Sequence, residues 1–237
     1  AIDGAGGVYG ATSTLALKAI RRQVWDGEAF AASWIVDVGE EVNAPLVVAA
    51  PESIISGSSA GEVERSYAGS GSGALAALRT LTGRVDDSPI ILSNGDIVVG
   101  DAGGKLHRLA SDGTAVWGAP ADLGAAVHAP LALAAAAPGA ARFLVATADG
   151  KVHALDDDGT ILWSGPLTSG LALGAGNLHT PAGAPLAPDG SPFSTAYFAG
   201  ADGTLYAVIV EGALDTSAPW PKAWHDARNT SRAGGAF

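Results

Sequence analysis

Cysteine and methionine are both absent from the 237 residues. Without cysteine there can be no disulfide, no thiolate zinc site and no cysteine nucleophile. Basic residues are scarce: 13 Lys and Arg stand against 24 Asp and Glu, for a formal net charge of -11. A nucleic-acid surface needs clustered cations to displace counterions, so that function class is excluded. The one dense basic group, Lys18 to Arg22, is too short to line a groove, and the acidic balance reads as a solvated surface. No run resembles a membrane span. The most apolar stretch, Ala125 to Ala141, is alanine-rich and broken by His128, Pro130 and Pro138. With no leader-like segment and no methionine, the chain reads as a mature, processed or excised product. The absence of cysteine fits a bacterial protein working outside the cytoplasm.

What the chain has in quantity is glycine, 33 residues, together with 13 prolines, a punctuation that favours many short elements. The glycines fall in a repeat. Gly104-Lys105-Leu106-His107-Arg108-Leu109 recurs as Gly150-Lys151-Val152-His153-Ala154-Leu155 and as Gly203-Thr204-Leu205-Tyr206-Ala207-Val208. A second glycine follows each at a fixed spacing (Gly113, Gly159, Gly212), and Trp117 and Trp163 follow the first two of these. Upstream of each copy a proline opens an apolar run: Pro45, Pro89, Pro130 and Pro185. Proline is tolerated at the first residue of a strand because no ladder donor is lost there. Second apolar runs follow at Asp96–Gly100, Arg142–Ala146 and Ala196–Gly200. Asp112-Gly113 and Asp158-Gly159 then join the glycine-led strand to the tryptophan strand, a strong hairpin signal.

Each unit is therefore four short antiparallel strands in roughly forty residues, the content of one propeller blade. Such a unit cannot bury both of its faces alone, and radial stacking removes that problem. The expected fold is an all-β propeller of about five visible blades. The boundaries fall near 1–43 (a partial first blade), 44–87, 88–128, 129–183 and 184–237. The unit from Pro45 is degenerate, and Ile2–Gly10 reads as a second strand with no first strand before it. Two arrangements stay open. The chain closes a five-bladed ring by lending a C-terminal strand to the first blade, or it is part of a seven- or eight-bladed ring completed by a missing N-terminal segment or a second chain. A longer loop is expected over 164–183.

These repeats resemble the PQQ-like, quinoprotein-type propeller repeat, whose pattern is Gly-x-Leu-Tyr-Ala-Leu-Asp, a glycine turn, then Trp. The matches are Gly150 to Asp156 with Gly159 and Trp163, and Gly203 to Ala207. The tail Trp220 to Thr230 is similar to a segment of bacterial secreted proteins of this class. The resemblance is strong over about 88–232. It implies a propeller whose repeat tryptophans, Trp117 and Trp163, dock between neighbouring blades. It also offers two functional branches. One comprises dehydrogenases that hold pyrroloquinoline quinone and calcium; the other comprises non-catalytic protein-binding scaffolds such as the barrel-assembly lipoprotein of the outer membrane. The vicinal cysteine pair often found against the quinone is missing, and no calcium-ligand set surrounds a stacking tryptophan. The expectation is a scaffold without catalytic residue or cofactor, placed outside the cytoplasm and binding a protein partner. A carbohydrate-binding propeller is the alternative.

One constellation carries chemistry of its own. Asn43, Asp87 and His128 stand two residues before strand-opening prolines, and His179 stands two before Pro181. If the units superpose, these side chains ring the mouth of the central channel. Two imidazoles, a carboxylate and an amide there could bind a metal or a polar ligand; the plainer expectation is that they satisfy loop backbone or coat a wet channel. His107 and His153 occupy the repeat position of Tyr206 and read as packing residues. Asp156-Asp157-Asp158-Gly159 lacks the alternate acceptors and distal Glu of a calcium loop and reads as turn chemistry. Ser70-Gly71-Ser72-Gly73 reads as a loop, and no Gly-x-Ser-x-Gly sits on a strand-to-helix junction. Trp25, Trp34, Trp220 and Trp224 fall outside the clean repeat, as seals of the ring closure or as an exposed platform.

Overall fold

The computed structural model describes residues 1–13, 17–70, 72–128, 130–134, 139–140, 142–168, 170 and 172–225. Every regular element among them is a strand. The first sheet contains β1 (Val8–Ser13), β2 (Lys18–Trp25) and β3 (Phe30–Asp37). The second contains β4 (Val47–Ala50), β5 (Ser53–Gly57), β6 (Glu62–Ala68) and β7 (Gly73–Thr80), and the third β8 (Ile90–Ile91), β9 (Ile97–Gly100), β10 (Lys105–Leu109) and β11 (Ala121–Asp122). The fourth contains β12 (Leu131–Ala132), β13 (Phe143–Ala146), β14 (Lys151–Leu155) and β15 (Ile161–Pro166). The fifth has only β16 (Asn177–His179), β17 (Phe193–Ala199) and β18 (Leu205–Glu211). Within each sheet the strands lie side by side in chain order and pair antiparallel.

The repeated glycine exists for one turn. Between the second and third strands, Gly61, Gly104, Gly150 and Gly203 all take φ between 80° and 86°. In each, that glycine's amide donates to the carbonyl three residues back, at Ser58, Asp101, Thr147 and Gly200. A side chain in that left-handed region would be strained, so glycine holds the position.

Pleat parity explains the packing. On β8–β10, Ile91, Ile97, Val99 and Leu109 join one core with residues of the second sheet, while Ile90, Val98 and Leu106 join the next core with Phe143 and Val145 of the fourth. On β13 the alternate residues Leu144 and Ala146 turn the other way, toward Leu178, Ala196 and Phe198 of the fifth sheet. Inner sheets are thus apolar on both faces, each buried aliphatic contributing about 1.5–3 kcal/mol.

Several expectations need correction. The fifth sheet opens at Asn177, ahead of the boundary expected at 184, and the expected loop over 164–183 is partly strand: β15 runs to Pro166 and β16 spans Asn177–His179. Pro185-Leu186 is no first strand. It lies in a hairpin inserted between β16 and β17, closed by a bridge from Leu186 to Pro192, with Leu186 exposed. The degenerate second unit is in fact a full four-stranded sheet, because Ser58 supplies with a hydroxyl the turn bonds that Asp101 supplies with a carboxylate. The tryptophan strand of the third sheet is interrupted: Ala115 makes one bridge to Leu109 and pairing resumes only at Ala121.

The sheets do not close into a ring. After β18 the tail turns inward. Leu214 bridges Leu133 and Trp220 bridges Ile91. Since β8 and β12 already pair with β9 and β13 on one side, the tail occupies their free, hub-side edges. Among the described residues the tail therefore pairs with the third and fourth sheets and lends no strand to the first. Trp220 is buried in the first core, and the tail motif beyond His225 lies outside the described residues.

Candidate functional site

Of the four residues expected at a channel rim, Asp87 and His128 bond each other and Asn43 bonds the neighbouring Asp86. The Asn43 amide nitrogen donates to one oxygen of Asp86 at 3.2 Å, and Asp86 is also held by Arg84. Next in sequence, Asp87 Oδ2 lies 2.7 Å from His128 Nδ1. The two adjacent carboxylates thus reach opposite ways, one toward the approach to β4 and one toward the approach to β12. The backbone confirms the equivalence: Asn43 N donates to Gly57 O at the end of β5, and His128 N donates to Ala146 O at the end of β13. His128 Nε2 is buried without a hydrogen-bond partner. His179 does not join this chain. It lies within β16, paired with Thr195 and exposed, because the inserted hairpin shifts the fifth sheet's register away from its proline. Among the described residues no group of three or more His, Cys, Asp or Glu is placed to hold a metal. The arrangement stitches consecutive blade approaches together.

The two repeat tryptophans have different fates. Trp117 is buried. Its Nε1 donates to Asp157 O of the fourth sheet at 2.9 Å, its ring meets Phe143 edge-on, and a Cβ on Gly159 would strike it at 2.8 Å. Trp163 does not dock in the same way; it is 40% exposed. The physical reason is that, among the described residues, the fifth sheet has no fourth strand. No Asp-Gly hairpin follows β18 to cover the ring, because the chain bends at Gly212 toward Leu133.

Trp163 instead lines a cleft between β15 and β18, with Leu144, Leu162, Phe193, Ile209 and Val210 as apolar floor and Asp189 and Glu211 as rim. Ile209 and Leu205 are exposed by 74% and 67%. A second exposed aromatic site is the β2–β3 hairpin, where Trp25 and Phe30 meet edge-on at 5.3 Å.

Buried charges escaped the sequence reading. Arg22 donates to Asp3 at 3.0 Å, Arg108 to Asp96 at 2.8 Å and Arg142 to Asp215 at 2.7 Å. Burial pushes the Asp3 carboxyl up, but hydrogen bonds from Tyr9, the Gly7 amide and Arg22 outweigh it and hold the group below its usual range. Asp215 is likewise held low against burial by Ser217 and Arg142. The available signal was Arg142 directly before the apolar run Phe143–Ala146; Arg22 and Arg108 lie in strands with other polar residues and left no such mark.

The residue two positions into the third strand is equally patterned. His107 bonds back to Asp101, His153 to Thr147 and Tyr206 to Asp202. Burial lowers the His153 pKa. In the second sheet the position is Glu64, buried, and burial together with Glu62 and Glu40 pushes it up to about 7.

Five consecutive antiparallel sheets packed face to face about a common hub make this a β-propeller. Solved structures agree on the fold: the C-terminal WD40 domain of Sif2 (TM-score 0.62, 11% identity) covers 87% of this chain and 53% of its own. The computationally designed Ika8 protein aligns with TM-score 0.55 at 15% identity, covering 84% and 57%. BBS1N, solved in complex with ARL6DN, aligns with TM-score 0.54 at 13% identity, covering 89% and 64%. The chain thus spans little more than half to under two thirds of these proteins. A family model described as outer membrane protein assembly factor BamB matches residues 88–232, more than half of the chain. The protein belongs to that family. No curated protein matches it in sequence.

Proposed function

We propose that this propeller is a non-catalytic scaffold that holds a protein partner outside the cytoplasm. The observation that carries the reading is the exposed apolar surface at the outer edge, where Leu162 and Trp163 of β15 share a cleft with Ile209 of β18, a strand whose other residues, Tyr206, Val208 and Val210, pack into a core. Apolar surface gathered on a rigid frame is the physical mark of an interaction site. Membership of a family described by outer membrane assembly supports the location and the scaffold role. No helix among the described residues is long and apolar enough to cross a membrane. The Asp87–His128 pair and the bonds from Arg108 to Asp157 tie the third sheet to the fourth, so geometry is fixed before a partner arrives and little ordering entropy is lost on binding.

The test is site-specific photo-crosslinking in the native cell envelope, with the probe placed in turn at Ile209, at Trp25 and at Arg79, which lines a cleft between β7 and β10. A discrete adduct to one reproducible protein is expected. Absence of adducts at all three faces in a folded, abundant protein would overturn the scaffold reading. The Trp25–Phe30 pair favours a second reading, a carbohydrate platform; quenching of tryptophan emission by a glycan, lost in Trp25→Ala, would establish it.

A further inference from the structure

The second, third and fourth sheets carry a fourth strand antiparallel to their third: β7 on β6, β11 on β10, β15 on β14. Among the described residues the fifth sheet stops at its third strand, β18. The backbone direction of β18 can be followed from its ends. Gly212 N donates to Pro192 O and Thr204 O accepts from Gly200 N, so even-numbered residues address the β17 side. Alternation along an antiparallel strand then turns the N–H and C=O groups of Leu205, Ala207, Ile209 and Glu211 outward. Those four are also the exposed residues of the strand. An edge of this length with unpaired groups and exposed branched side chains is a template for one more strand.

Its surroundings select the guest. The cleft floor beside the edge is apolar, and its only charged lining residues are Asp189 and Glu211. Asp202 stands on the turn that leads into the other end of β18. A second copy of the chain would bring Glu211 into a two-fold antiparallel pairing along with another net charge of -11, a repulsive match. An extended segment with alternate apolar side chains and a Lys or Arg at its ends meets both requirements.

We propose that β18 is the docking edge of this scaffold: an extended, basic-ended segment of a partner protein adds to it as the fourth strand, antiparallel, and lays its apolar side chains over Trp163 and Ile209. This rests on the scaffold reading above. Main-chain bonds supply affinity and the cleft supplies side-chain selection.

The experiment uses the full-length protein and a labelled seven-residue peptide with Val and Ile at alternate positions and Lys at both ends. Two controls share its pattern: one ends in Glu, the other is N-methylated at alternate amides. Anisotropy is expected to show binding by the Lys-ended peptide, weakened about tenfold or more in both controls. Hydrogen exchange should show new protection at Ala207, Ile209 and Glu211. Ile209→Pro removes an outward donor without touching the β17 ladder; it should abolish binding while keeping the thermal midpoint within a few degrees. Three results would each overturn the proposal: equal binding of the N-methylated peptide, protection confined to other strands, or amides of β18 already protected in the free protein at every concentration, which would mean a strand from the same chain fills the edge. Dimerisation through β18 that rises with concentration would overturn it in favour of a second copy. Crosslinks to a protein at another face alongside no peptide binding would leave the scaffold reading intact and remove only this edge.

Discussion

Glu64 shows how one residue can break a repeat's chemistry without breaking its fold. Its counterparts His107, His153 and Tyr206 can each act as donor or accept a rearranged bond, and each has a partner. An ionised carboxylate only accepts, and the groups acting on it are Glu62 and Glu40, Glu40 itself pairing with Lys18 at 3.7 Å. The folded state therefore holds a proton that the unfolded chain, with an ordinary carboxyl at 4.5, has lost. Between pH 4.5 and about 7 the folded form binds more protons, so stability falls as pH rises through that window and levels off above it. Urea unfolding at pH 5 and pH 8 should differ by no more than about 3 kcal/mol from this group. Glu64→Gln should flatten the dependence and raise the pH 8 midpoint. The aspartates held low by arginine act in the opposite sense and at lower pH: their contribution is present above the usual carboxylate range and is lost in acid. Removing one partner leaves a buried charge, so Arg108→Ala should cost about 3–5 kcal/mol, whereas breaking the exposed Lys105–Asp122 pair should leave the denaturation midpoint almost unchanged.

At the scale of strands and hairpins, the same motif packs well only where a neighbour completes it. Trp117 and Trp163 are equivalent in the repeat, yet one is covered by the Gly159 hairpin and the other is not. Trp117→Ala should cost about 3–5 kcal/mol and Trp163→Ala under about 1 kcal/mol, read from denaturation midpoints at constant slope. The hairpin glycines are tested by Gly113→Ala. Its φ is 88°, and a Cβ there would come within 2.1 Å of the Leu78 carbonyl oxygen. Backbone strain and a clash with the preceding sheet add, so a loss of about 2–4 kcal/mol is expected, larger than Gly203→Ala, where the space around the new methyl is open.

For the molecule as a whole, cohesion comes from successive sheet interfaces and from the tail that crosses the hub. Three cores lie in sequence, and Trp220 brings the tail into the first of them after it has bridged the fourth and third sheets. Asp215 pins the tail to Arg142, and Ala132 N donates to Pro221 O. Truncation after Gly212 should therefore lower the thermal midpoint by several degrees and broaden the transition, because inner-strand edges of two sheets lose their only further pairing among the described residues. A sharp, unshifted transition would show that the tail is an ornament. The extended neighbours in structure are longer than this chain, and the scaffold role argued for it belongs to the outer edge and not to the hub.

The glycine-led turns, the Asp-Gly hairpins and the doubly apolar inner strands were legible because they are local: a positive φ or a two-residue pleat leaves its mark within a few positions. Superposing equal repeats likewise singled out Asn43, Asp87 and His128, but not Asp86, which is the residue that Asn43 bonds. What tertiary structure decided lies where the repeat stops being equal to itself. The inserted hairpin carried His179 out of the rim, the bend at Gly212 uncovered Trp163, and long-range partners chose which arginines could be buried. Sequence periodicity specifies the blade because backbone geometry is short-ranged; it is silent on the open edge, because whether a strand is paired depends on chain brought in from elsewhere.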